Sequence, residues 1–219
     1  STKPHPIAPL FRKEFLLDGE IDLARAYISG IGYYVLYING ERVGNRVLDP
    51  AFTDYSKRVL YSTYDITGLV KNGINAAGIV LGIGWYSNPP QAVSFQSIPQ
   101  VTMQIYIRYA DGRETDIITD GCSGWYTTSD GPIIFNSIYD GETYDARLEK
   151  SGWNLPGFNM CQDGAGVWKT PAVVESPGGR PVAQAMEPIR VIKDISPVGV
   201  YNPRNGVYVY DMGQNFAGW

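Results

Sequence analysis

The nine residues 101–109 constrain the fold most. Val101, Met103, Ile105, Ile107 and Tyr109 alternate with Thr102, Gln104, Tyr106 and Arg108. Successive side chains of a strand point to opposite faces, so this run is a strand with one face buried and one face wet. Asp111-Gly112 follows, a dipeptide that tolerates the left-handed turn of a tight hairpin, and 114–119 reads as the returning partner. No window long enough for a helix shows a convincing 3.6-residue period, so the core of this chain must come from sheets.

Other segments agree. Residues 11–17 and 21–28 are two strands joined around Asp18-Gly19. Residues 33–38 are apolar on both faces, which predicts a central position in a sheet, and Asn39-Gly40 ends that strand. Residues 58–64 and 75–81 add two more, separated by a single helical turn over 65–70 that Asn72-Gly73 terminates. The Gly-rich stretch 153–166 has no period and reads as a loop. Prolines 171, 177, 181 and 188 with Gly178-Gly179 predict a strand-poor linker, and 207–211 is a strand again. The expected organisation is an extension over 1–10, a β-sandwich over 11–170, a linker over 171–197, and the truncated start of a following β-domain over 198–219.

Composition excludes several functions. The 18 Lys+Arg against 22 Asp+Glu give a net charge of −4, without the basic stripe of a nucleic-acid binder. No apolar run is long enough to span a membrane as a helix. His5 is the single histidine, which argues against a Ser-His-Asp triad, a Cys-His pair or a histidine metal site. Cys122 and Cys161 lack CxxC spacing, so they are read as free thiols rather than zinc ligands. No phosphate-binding glycine motif occurs. Carboxylate chemistry, as in glycosidases, stays open. Aromatic residues are 13% of the chain, with 16 Tyr, and many of these tyrosines fall inside strands, where they serve sheet and core.

Certain strings carry a resemblance. They are Gly32-Tyr33-Tyr34-Val35-Leu36-Tyr37-Ile38-Asn39-Gly40, Leu81-Gly82-Ile83-Gly84-Trp85-Tyr86, Tyr139-Asp140-Gly141-Glu142-Thr143-Tyr144-Asp145-Ala146-Arg147, and Asp211-Met212-Gly213-Gln214-Asn215-Phe216-Ala217-Gly218-Trp219. Together they resemble the N-terminal region of bacterial α-L-rhamnosidases, glycoside hydrolase family 78. The resemblance implies a jelly-roll β-sandwich, galactose-binding-domain-like, ahead of a second β-domain and an (α/α)6 barrel. That barrel removes terminal α-L-rhamnose with inversion and holds the catalytic acids. The fragment then contains no catalytic residue, and its partners are the rest of its own polypeptide and a rhamnose-containing glycan. Rhamnosides are met outside the cytoplasm, so the resemblance implies a periplasmic or extracellular parent. Related modules bind rhamnose through calcium, which implies a calcium and sugar site near Asn45 and Asp49, with Arg46 between them.

The candidate residues each have two roles open. Trp85 and Tyr86 either stack on a pyranose face or cap the core, and Asn88 opens a stiff Pro-containing rim beside them. Asp49 and Asp54 either bind ligand or cap backbone amides in a turn. Asp140, Glu142 and Asp145 with Arg147 form an acidic cluster that either fixes a loop or docks another domain; as an acid–base pair they would be catalytic. Gln214 and Asn215 set a turn into the following domain.

Overall fold

The computed structural model describes residues 7–87, 98–162 and 164–216. Two compact units divide the chain, 1–189 and 190–219.

The first unit is an all-β sandwich. Its strands are β1 Leu10–Leu17, β2 Ile21–Ile31, β3 Tyr33–Ile38, β4 Glu41–Arg42, β5 Arg58–Asp65, β6 Gly73–Gly82, β7 Gln100–Tyr109, β8 Glu114–Ile118 and β9 Tyr126–Thr128. A short helix α1, Gly84–Ser87, follows β6; β10 Ile133–Ser137 and β11 Gly141–Tyr144 form a separate hairpin; β12 is Arg180–Ala183. One sheet has the order β4-β3-β6-β1-β9 and the other β12-β5-β2-β7-β8. Between them lies the core. Phe15, Leu17, Tyr34, Leu36, Ile38, Ile79 and Leu81 come from the first sheet, and Ala24, Ala26, Ile28, Met103, Ile105 and Ile107 from the second. The alternation at 101–109 is realised: β7 turns Met103, Ile105, Ile107 and Tyr109 inward and pairs with β8 across Asp111-Gly112.

β1 and β2 lie in different sheets, so the chain around Asp18-Gly19 crosses the sandwich. Arg113 pins this crossing: it donates to Asp18 at 3.0 Å and lies 4.6 Å over the Tyr109 ring. The single turn after β5 forms, with Leu69 N–H donating to Ile66 at 2.9 Å and Asp65 accepting from Thr67 N–H at 3.0 Å.

β3 is not central. It sits beside the two-residue edge strand β4. Its second apolar face is covered by the loop after residue 150, where Tyr37 meets Trp153 edge-on at 6.0 Å. Arg12, almost fully buried, holds that loop by donating to the carbonyls of Trp153 (2.8 Å) and Leu155 (3.1 Å). Gly78 leaves the space the loop occupies: a Cβ there would lie 2.7 Å from Cβ of Asn154.

The segment expected as a linker contains a strand. β12 pairs in parallel with β5, Pro181 opposite Val59. Proline cannot donate to a ladder, and an edge strand needs no donor on its outer side. Gln184 N–H then donates to Tyr61 at 2.9 Å.

Among its described residues the second unit holds one antiparallel hairpin, β13 Gly199–Arg204 and β14 Val207–Asp211. The sequence reading anticipated β14 and not β13. Tyr201, Tyr208 and Tyr210 are exposed on it.

Candidate functional site

Asp49 is the most connected candidate. It is 3% exposed. Its Oδ2 accepts from the Tyr34 hydroxyl at 2.9 Å and the Ser62 hydroxyl at 2.5 Å, and its Oδ1 from the Gln184 amide at 3.0 Å. Tyr34 from β3, Ser62 from β5 and Gln184 after β12 therefore converge on one carboxylate. Gln184 also accepts from Ala51 N–H at 3.0 Å. The Tyr34 and Tyr64 hydroxyls lie 3.1 Å apart. Arg46 sits 5.2 Å over the Tyr64 ring, donates to Ser62 at 2.8 Å, and stands 3.9 Å from Asp49. Burial first, and then the negative Asp49, raises the Tyr34 hydroxyl well above the ordinary tyrosine value. The arrangement ties the two sheets together; a sequence reading sees Asp49 but none of its distant donors.

This geometry does not fit calcium. A hard cation needs several oxygens turned toward it. Both Asp49 oxygens are already accepting from protein donors, the Arg46 guanidinium is nearby, and Asn45 is exposed. Among the described residues, no group of three or more His, Cys, Asp or Glu could hold a metal.

Trp85 and Tyr86 separate. Tyr86 joins Ile31, Tyr55 and Val59 in a second buried cluster, with the Tyr55 and Tyr86 rings edge-to-face at 5.2 Å. It is a core residue, and burial raises the Tyr55 hydroxyl above its usual value. Trp85 is only half-buried and meets Phe52 at 5.8 Å and Tyr139 at 5.9 Å, both edge-to-face. Phe52 and Tyr139 are exposed. These three rings form an aromatic surface, and sequence reasoning missed the contributions of Phe52 and Tyr139. Asn88 lies outside the described residues.

Asp54, Asp140 and Asp145 serve turns. Asp54 accepts from Ser56 N–H and its hydroxyl and pairs with Lys57 at 2.9 Å, and the Ser56 hydroxyl above all holds its carboxyl below the usual range. Asp140 accepts from the Ser137 hydroxyl at 2.9 Å. Asp145 caps the 3-10 turn Ala146–Leu148 and grips Arg147 through two side-chain bonds, 2.8 and 2.6 Å. That guanidinium lowers the Asp145 carboxyl to about 2. Glu142 is exposed on β11. A general acid needs a raised pKa, and the Asp145 carboxyl is moved the other way. In the second unit Gln214 and Asn215 are exposed, after a turn in which Asp211 accepts from Gly213 N–H at 2.8 Å. Cys122 and Cys161 are both exposed and free.

Comparison with known proteins adds the family. The family model described as the alpha-L-rhamnosidase N-terminal domain matches residues 19–193. An alpha-L-rhamnosidase of Formosa agariphila is 36% identical, over 97% of this chain and 22% of its own length. The solved alpha-L-rhamnosidase from Dictyoglumus thermophilum is 44% identical with a TM-score of 0.86, over 97% of this chain and 23% of that one. The Streptomyces avermitilis alpha-L-rhamnosidase complexed with L-rhamnose is 35% identical with a TM-score of 0.84, over 96% and 20%. The chain thus spans about a fifth of the length of these relatives.

Proposed function

The chain belongs to the alpha-L-rhamnosidase N-terminal domain family, and from that premise we propose that it is a non-catalytic module that scaffolds the rest of an α-L-rhamnosidase. Hydrolysis of terminal α-L-rhamnose is then performed by a helical barrel elsewhere in the polypeptide, and the parent works in the periplasm or outside the cell. One observation carries the reading: Asp49, Asp54, Asp140 and Asp145 all spend their carboxylates on hydrogen bonds and ion pairs within the protein. An inverting pair would need two carboxyls free to face a sugar and a water. The test is incubation of the 219-residue chain with a nitrophenyl α-L-rhamnoside. No nitrophenol release is expected, and release above the buffer rate would overturn the reading.

The trio of exposed Phe52 and Tyr139 with half-buried Trp85 favours a second reading, a weak carbohydrate-binding role. Aromatic faces stack on the apolar face of a pyranose, and rhamnose, a 6-deoxy sugar, offers a methyl group as well. Calorimetric titration with L-rhamnose tests it. A saturable heat that disappears in Trp85→Ala supports binding, and no heat at tens of millimolar sugar removes it.

A further inference from the structure

We propose that the β10–β11 hairpin is the surface through which the sandwich docks onto the remainder of its own polypeptide, and that the face it meets is apolar and carries a cation. The inference rests on reading the chain as a module of a longer rhamnosidase.

The hairpin belongs to neither large sheet. A lone two-stranded ribbon is marginal in water, yet this one is fastened at several points. Ala8 N–H donates to Ile133 at 3.3 Å, Asp145 N–H to Pro132 at 2.8 Å, and Ile83 N–H to the Asn136 side chain at 2.9 Å. The Ser137–Asp140 turn closes its tip and Asp145–Arg147 caps its end. A surface held this firmly loses little entropy on binding.

What it displays is unusual for a solvated ribbon. Every β11 residue is exposed. Ile134, Tyr139, Tyr144 and Leu148 present large apolar side chains at 38%, 60%, 49% and 37% exposure. On the outer face of the second sheet, by contrast, Tyr106 donates to Glu114 at 2.6 Å and Arg108 pairs with Asp22, so these groups are already satisfied. On the hairpin, Arg147 neutralises Asp145, while Asp140, Glu142 and Glu149 have no cation partner among the described residues. Exposed apolar side chains interspersed with unneutralised acids suit an interdomain interface, which is more polar than an obligate one. The occupant is the remaining polypeptide because most of a relative's length lies beyond the part this chain covers.

Hydroxyl-radical footprinting of the whole parent polypeptide and of the 219-residue chain tests this. Tyr139, Tyr144 and Leu148 should be oxidised several-fold less in the parent, with Tyr106 unchanged. In the parent, Glu142→Lys should restore oxidation at Tyr139 and Tyr144 while Trp125 stays protected in the core. Equal oxidation of the hairpin in both proteins overturns the proposal, and protection untouched by Glu142→Lys overturns the cation. Protection confined to Tyr208 and Tyr210 of β14 sinks the hairpin assignment and keeps the module reading; protection nowhere sinks both. If L-rhamnose protects Tyr139 and Tyr144 in the 219-residue chain, the surface is a sugar site and docking is overturned.

Discussion

The Asp49 node and the β10–β11 hairpin are built from the same residue types, Asp, Tyr, Ser and Arg, and reach opposite ends. At the node three donors turn inward onto one buried carboxylate. On the hairpin and the turn after it, Asp140 and Asp145 find their partners within two or three residues, in Ser137 and Arg147, and the tyrosines are left outside. Sequence separation is the difference. Partners distant in the chain make a core that cannot open locally, whereas partners close in the chain make a rigid ornament whose loss leaves the sandwich standing.

Substitutions sharpen that contrast. Asp49→Ala removes the acceptor of three donors and leaves Arg46 unpaired, and the expected loss is about 3–5 kcal/mol in denaturant unfolding. A loss too small to resolve would break the comparison. Gln184→Ala should cost less, about 1–3 kcal/mol, since it strands Asp49 Oδ1 and Ala51 N–H alone; hydrogen exchange should quicken in β12 before it does in β2. On the hairpin the effects shrink. The Asp145 carboxyl should titrate by NMR near pH 2, and Arg147→Ala should move its midpoint up toward the ordinary value. Because the folded value lies below the unfolded one, this pair stabilises above the unfolded pKa and its contribution is lost as pH falls through about 2. Glu142→Gln should leave the unfolding midpoint of the 219-residue chain unchanged, because the side chain is exposed on an element outside both large sheets.

What could be read from the sequence follows the same line. The β7–β8 hairpin was legible because alternation and an Asp-Gly turn are local signals. So was the all-β class. β12 was hidden because Pro181 argues against a strand and only the edge position next to β5 excuses it. β3 was misplaced because its apolar second face reflects a loop more than a hundred residues away, held by Arg12, and no local period reports that. At the site, Trp85 was visible as an aromatic at a strand end, but Phe52 and Tyr139 come from separate loops. The poor fit to calcium has the same origin: the sequence shows Asp49 but not Tyr34, Ser62 and Gln184, whose donors occupy its oxygens.

The hook made by Gln184 has a bearing on how the sandwich is born. Its bond to Asp49 joins residues 135 apart, and Arg12 reaches Trp153 across 141. A chain dominated by such distant closures folds slowly, and a ribosome delivers it from the N-terminus at roughly 5–20 residues per second. The strands that form its centre therefore emerge seconds to tens of seconds before the hook that locks them. During that interval β5 stands as an open edge, the part of the nascent chain most in need of shielding from its neighbours.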